Sequence, residues 1–255
     1  MLRKISFYGL FLGITQLTGF LGFAQKSSSD SAALQAFIAK IRQAYAKGHF
    51  LDFRIHYFYA NADQPQRYLD SLAGEVQMEK ENCRMMLDGV ETIITDKYAI
   101  QINPMDKSIY LAAARRAAAA NPVGMVDSLL AHVQGVQVAV TRQSHEESLT
   151  MDFPPDQAYD RITIRIDDRT GYLRRISYAL NTDRLVSRDM INQPGNPSPY
   201  QARGNMDIEF SDYRRGNFDD NLFREDNFIT RIAPGRFEPA GRYKDYHIYL
   251  ASSNL

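Results

Sequence analysis

Residues 74 to 112 read GEVQMEKENCRMMLDGVETIITDKYAIQINPMDKSIYLA. Short apolar and polar alternations repeat there and break at Asp88-Gly89, Asp96-Lys97 and Asn103-Pro104 to Lys107, the residue types that turn a strand back on its neighbour. This is the pattern of an antiparallel meander. One register puts Val76 and Met78, then Cys83, Met85 and Leu87, then Tyr98, Ile100 and Ile102, then Ile109 and Leu111 on a single apolar face. Glu75, Gln77, Glu79, Arg84 and Gln101 then point the other way, because side chains alternate across a strand. Such a face needs cover from the rest of the chain.

Outward from the meander, the same alternation recurs. Phe53, Ile55, Tyr57 and Tyr59 predict a strand before it, closed by a turn from Asn61 to Pro65. After it, an alanine-rich helical stretch is halted by Asn121-Pro122, and Val123, Val126, Leu129, Leu130 and Val133 mark a second amphipathic helix. Strands resume with Val136, Val138 and Val140, then Leu149, Met151 and Phe153. Ile162, Ile164 and Ile166 return through a turn at Asp167 to Gly171 into Ile176, Tyr178 and Leu180. A long loop follows up to Gly204, then a strand through Met206, Ile208 and Phe210, and last Tyr246, Ile248 and Leu250. About a dozen short strands with few helices predict a mainly β fold. Its expected form is a curved antiparallel sheet or incomplete β-barrel with helices over the concave face.

Before the first strand, Asp30 is the expected N-cap of a helix whose apolar stripe is Leu34, Phe37, Ile38, Ile41 and Tyr45. Ahead of it, Arg3 and Lys4 precede an apolar run from Ile5 to Phe23, with small residues before Gln25. That pattern predicts a signal peptide over residues 1–24, cleaved after Ala24, a linker over 25–29, and a mature chain outside the cytoplasm without a transmembrane anchor. Gly9, Gly13, Thr15, Gln16, Thr18 and Gly19 make the run too weakly apolar to favour an anchor. No cysteine stands near the cut, which argues against lipid modification there.

Of the 255 residues 44% are hydrophobic, enough for a real core in one large domain or two small ones. Thirty basic residues balance thirty acidic ones, and removing Arg3 and Lys4 with the leader leaves 28 against 30. A charge this close to neutral gives no support for a nucleic-acid partner. The lone cysteine, Cys83, excludes an internal disulfide and sits in phase with Met85 and Leu87 as buried filler.

Catalytic patterns are weak. Asp167-Asp168 and Asp219-Asp220 are adjacent acids at expected turns, where neighbouring side chains diverge. His49, His56, His132, His145 and His247 lack the spacing of a helix-borne metal site. Neither a nucleophile elbow nor a phosphate loop is present, and no cofactor is expected.

The order of elements resembles the periplasmic outer-membrane lipoprotein carriers, the LolA and LolB-like proteins. The residues that carry the resemblance are the helix from Leu34 to Tyr45 leading into FLDFRIHYF, the meander RMMLDGVETIITDKYAIQINPMDKSIYL, the hairpin from Ile162 to Tyr178, and MDIEFSDYRRGNFDDNLFRED. It spans residues 30–228 and leaves 229–255 as a C-terminal extension, expected to pack on the same domain or on a partner. The proline that the family tends to carry before the meander is missing from Lys80-Glu81-Asn82-Cys83-Arg84.

The resemblance implies a half-barrel with helical lids around an apolar cavity that accepts an acyl chain, a lipid or a lipoprotein. Its expected lining is Phe37, Ile41, Tyr57, Tyr59, Val76, Met78, Met85, Leu87, Ile100, Ile102 and Leu130, with Arg84 as the polar group at the mouth. Flexible thioethers suit variable chains. The competing expectation is a non-catalytic accessory subunit of a cell-envelope assembly, built on the same fold with a filled interior and binding an envelope protein.

Overall fold

The computed structural model describes residues 28–46, 50–80, 82–114, 122–130, 135–155, 157–185, 198–216, 221–252 and 255. The expected signal peptide, the alanine-rich stretch, most of the long loop before Gly204, the acidic pair at 219–220, His49 and His132 lie outside the described residues.

In chain order the elements are α1 (Ser28–Tyr45), β1 (Phe50–Asn61), β2 (Tyr68–Glu79), β3 (Asn82–Leu87), β4 (Val90–Ile94), β5 (Tyr98–Asn103) and β6 (Ser108–Ala113). Then come α2 (Pro122–Leu130), β7 (Gln137–Gln143), β8 (Glu146–Asp152), β9 (Tyr159–Asp167), β10 (Leu173–Asn181), the short α3 (Thr182–Leu185) and β11 (Arg203–Gly216). β12 (Ile229–Ala233), β13 (Arg236–Pro239) and β14 (His247–Leu250) end the chain. Helix α1 begins two residues ahead of Asp30, so that aspartate lies in its first turn and not at its cap.

The fold is mainly β, as the alternation predicted. Twelve strands form one open sheet in the order β14-β6-β5-β4-β3-β2-β1-β11-β10-β9-β8-β7, and β12 pairs separately with β13. Consecutive strands of the meander and of the β7 to β10 run pair antiparallel. One pairing departs from the expected antiparallel sheet: β14 runs parallel to β6, with Ile248 opposite Ile109. A parallel neighbour needs a long return path, and the segment after β11 supplies it.

Two compact units emerge. The first holds α1, the second half of β1 and the strands from β7 to β10. The second holds the meander and the segment after residue 211. In the first unit, α1 buries Leu34, Phe37, Ile38, Ile41 and Ala44 and packs on β7 and β8. The turn before β10 comes so close that a Cβ on Gly171 would stand 2.8 Å from the carbonyl oxygen of Lys40. With φ at +75°, that position is reserved for glycine. The β9–β10 hairpin buries Ile162, Ile164, Ile166, Ile176, Tyr178 and Leu180.

In the second unit the meander corrects the expected register. Leu87 pairs with Val90, Ile94 with Ala99, and Ile102 with Ile109, so each turn exchanges odd for even positions on a given face. Val76, Met78, Cys83, Met85 and Leu87 therefore share a face with Thr92, Ile94 and Gln101. Ile93, Ile100, Ile102, Ile109 and Leu111 lie on the opposite face, together with Arg84 and Glu91. Counting from Leu87 to Tyr98 without β4 between them misses one inversion. A slip of one strand moves every later side chain to the other side.

Both faces are consequently apolar, and the isoleucine face is closed by the C-terminal segment. Phe223, Phe228, Ile229 and Tyr243 are buried against it, and Phe237, Tyr246 and Ile248 pack at its margin.

Candidate functional site

The expected lining residues divide between the units. Phe37, Ile41, Tyr57, Tyr59 and Leu130 belong to the first; Val76, Met78, Met85, Leu87, Ile100, Ile102 and Arg84 belong to the second. Phe37 and Tyr59 retain no accessible surface, and Ile41, Tyr57, Val76, Met78, Leu87, Ile100 and Ile102 are buried. Met85, Leu130 and Arg84 are half-buried. Within the second unit, Val76, Met78, Met85 and Leu87 stand on one face of the sheet while Ile100 and Ile102 stand on the other.

A recess of about 430 Å³ does exist in the second unit, and of the expected residues it takes Arg84. Its polar centre is Glu91, placed mid-strand in β4 and 3% exposed. Cross-strand order brings the partners together: Gln77 pairs with Arg84, and Arg84 reaches diagonally to Glu91. Arg84 donates from Nε to Glu91 Oε1 at 2.6 Å and from Nη1 to Gln77 Oε1 at 3.0 Å. The C-terminal segment closes the other side. The Tyr243 hydroxyl donates to Glu91 Oε2 at 2.9 Å, and Arg242 Nη2 reaches that oxygen at 3.2 Å and the hydroxyl at 2.5 Å. The Arg242 guanidinium also lies over the Tyr243 ring, 4.9 Å from its centroid.

Electrostatics follow from this geometry. A carboxylate taken this far from water needs compensation, and two guanidiniums with a phenol supply it. Burial pushes the Tyr243 phenol up to about 12, and the bond to Glu91 adds to that while Arg242 works against it. The phenol is therefore a fixed donor near neutral pH. Leu222 and Phe228 give the recess an apolar wall. Sequence reading missed Glu91, Arg242 and Tyr243. The available signal was a lone acid inside the apolar run VETII, a charge that needs a partner wherever that strand is covered.

Elsewhere the acidic pair Asp167-Asp168 is committed to ion pairs. Asp167 receives Arg174 Nη2 at 2.5 Å and the Thr170 amide at 2.8 Å. Asp168 receives Lys40 at 2.6 Å and pairs with Arg142. Lys40 also donates to Glu147 at 2.6 Å, tying α1 to β8. Among the described residues, no group of three or more His, Cys, Asp and Glu side chains is placed to hold a metal ion. Also among the described residues, no helix is long and apolar enough to cross a membrane. Burial pushes the Cys83 thiol up to about 12, so it is inert in the native fold.

No family model and no curated protein matches the chain. Solved structures do resemble it. An uncharacterised conserved protein from Thermus thermophilus aligns over 86% of this chain and 99% of its own at 10% identity, with a TM-score of 0.48. A LolA superfamily protein from Nitrosomonas europaea aligns over 76% of this chain and 98% of its own at 12% identity, with a TM-score of 0.37. A protein described as a putative outer membrane lipoprotein-sorting protein domain, from Vibrio parahaemolyticus, aligns over 76% and 97% at 13% identity, with a TM-score of 0.34. Likenesses this distant transfer no activity and no site.

Proposed function

We propose that this chain is an exported, non-catalytic binding protein that serves as an accessory subunit of a cell-envelope assembly. The supporting observation is how tightly the expected lining residues are packed, each within its own unit. A side chain bordering an open cavity keeps surface that water can reach, whereas Phe37, Ile41 and Tyr59 in the first unit, and Ile100 and Ile102 beneath the C-terminal cover of the second, are each at most 1% exposed. Close packing of this kind leaves no room beside them for an acyl chain.

The second reading is a carrier for an acyl chain, a lipid or a lipoprotein, with the packed residues of one unit parting to admit it. Met85 and Leu130, which stay half-buried, favour it, as does the methionine content of the Val76 face. Each methylene sheltered there is worth about 0.8 kcal/mol. Arg84 in its mouth role would have to leave Glu91 or share it.

Purification of the tagged full chain from its native envelope, with lipid extraction and mass spectrometry, separates the two. Ligand-free protein recovered with a stable envelope partner upholds the accessory-subunit reading. Stoichiometric lipid without such a partner overturns it in favour of the carrier.

A further inference from the structure

We propose that the recess between the meander and the C-terminal segment is a binding site for a small organic molecule bearing a carboxylate. Three features of the site converge on that ligand class.

The first is charge. Arg84 and Arg242 both bond Glu91, leaving this trio one net positive charge, while the fourth charged lining residue, Asp226, is neutralised by Arg224 Nε at 3.0 Å. Both oxygens of Glu91 already accept bonds, Oε1 from Arg84 and Oε2 from Tyr243 and Arg242, so two guanidiniums hold the place that a cationic ligand would take.

The second is donor geometry. Arg84 Nη2 and the Nε and Nη1 of Arg242 carry no hydrogen bond among the described residues, and both side chains line the recess. Guanidinium donors present a planar fork that matches a carboxylate, and the bond gains strength when both groups are charged. Because Nη2 of Arg242 and Nε of Arg84 hold Glu91, an incoming carboxylate can use the remaining donors without breaking the framework.

The third is shape. Volume near 430 Å³ falls within the usual size of a small-molecule site, and Leu222, Phe228 and the Tyr243 ring offer an apolar wall to a ligand's hydrocarbon or aromatic part. The recess lies wholly within the second unit, so the proposal stands or falls independently of whether the interior admits a lipid.

The test uses the mature full chain with phenylacetate as probe, phenylacetamide as its uncharged counterpart, and sodium chloride at matched ionic strength. Calorimetric titration is expected to give saturable phenylacetate binding with phenylacetamide and salt inert. The arginine Nε–Hε resonances that move in the NMR spectrum should be those of Arg84 and Arg242. Arg242→Gln, at a side chain 70% exposed, should lower the thermal midpoint only slightly and weaken phenylacetate at least about tenfold, with Arg242→Lys in between. Absence of saturable binding, equal binding of the amide, or undiminished binding by Arg242→Gln overturns the proposal. The NMR measurement needs no variant, so it decides even where a substitution perturbs folding.

Discussion

Tyr59 fills the space that a side chain at position 204 would need. A Cβ on Gly204 would stand 2.6 Å from Cζ and 2.8 Å from Cε2 of the Tyr59 ring. The ring cannot withdraw, since it has no accessible surface and its hydroxyl is bonded to Thr182 Oγ1 at 2.9 Å. Gly204→Ala is expected to destabilise the chain by about 1–3 kcal/mol, the usual cost of overpacking. Tyr59→Phe should cost about 1 kcal/mol, because it strands a buried threonine hydroxyl. At Gly216 an added Cβ would meet nothing within 4 Å, so Gly216→Ala serves as the control and should change stability by less than about 0.5 kcal/mol. Urea midpoints at constant slope measure all three.

Those contacts show what can be read from the sequence and what cannot. Period-two alternation locates β1 and its inward residues Phe53, Ile55, Tyr57 and Tyr59, because one side of that strand is buried and the other is not. Helix α1 is legible from its stripe for the same reason. The meander is recognisable as a meander, yet its faces are misassigned, because both of its sides are apolar and alternation alone cannot say which side is which. Glu91 and Arg242 meet across 151 residues of sequence, a separation at which no local pattern carries information. Partners from β4 and the C-terminal segment become visible only once β14 is known to lie along β6.

The cover over the isoleucine face is expected to be indispensable. Phe228 is buried among Ile229, Tyr243 and the meander isoleucines, and its ring stacks 5.9 Å from that of Tyr243. Phe228→Ala should cost about 3–5 kcal/mol as transfer and cavity terms add. Phe237→Ala, at the margin, should cost visibly less. Guanidinium unfolding monitored by circular dichroism gives both numbers, and a marginal effect at Phe228 would mean that the segment is not part of the core.

Acid stability should depend on Asp167. Its partial burial opposes ionisation, but bonds from Arg174 and from the Thr170 amide and hydroxyl outweigh it and hold the carboxyl at about 2. A depressed folded value means stability that is present above the ordinary value of 3.8 and is lost as the pH falls toward 2. Arg174 is half exposed, so solvent screening limits the contribution to about 1 kcal/mol. Wild type and Arg174→Ala should therefore differ by that amount at pH 7 and converge near pH 2 in unfolding curves.

Cys83 should report global unfolding. With its thiol buried and pushed up to about 12, it offers almost no thiolate in the native state. Reaction with an aromatic disulfide reagent at pH 8 is expected to be slow in buffer and to accelerate in parallel with the opening rate as urea is added. Rapid labelling of the native protein would show that the β3 face opens locally.

Arg84 and Glu91 should be worth more as partners than either is alone. Removing Glu91 leaves a half-buried guanidinium beside Ile93 and Ile102 and also deprives Tyr243 and Arg242 of their acceptor. Loss of one member of a well-buried pair costs about 3–5 kcal/mol, and the remaining exposure of Arg84 and Arg242 brings the expectation for Glu91→Ala to about 2–3 kcal/mol. Arg84→Ala strands a more deeply buried charge but leaves Arg242 and Tyr243 in place, so it should cost about 1–2 kcal/mol. The double variant removes both charges, and its destabilisation should fall short of the sum by about 1 kcal/mol, the coupling between the two. Strict additivity in the double-mutant cycle would show that the bond between them is replaced by water, and the recess would then lack the fixed positive wall that its geometry implies.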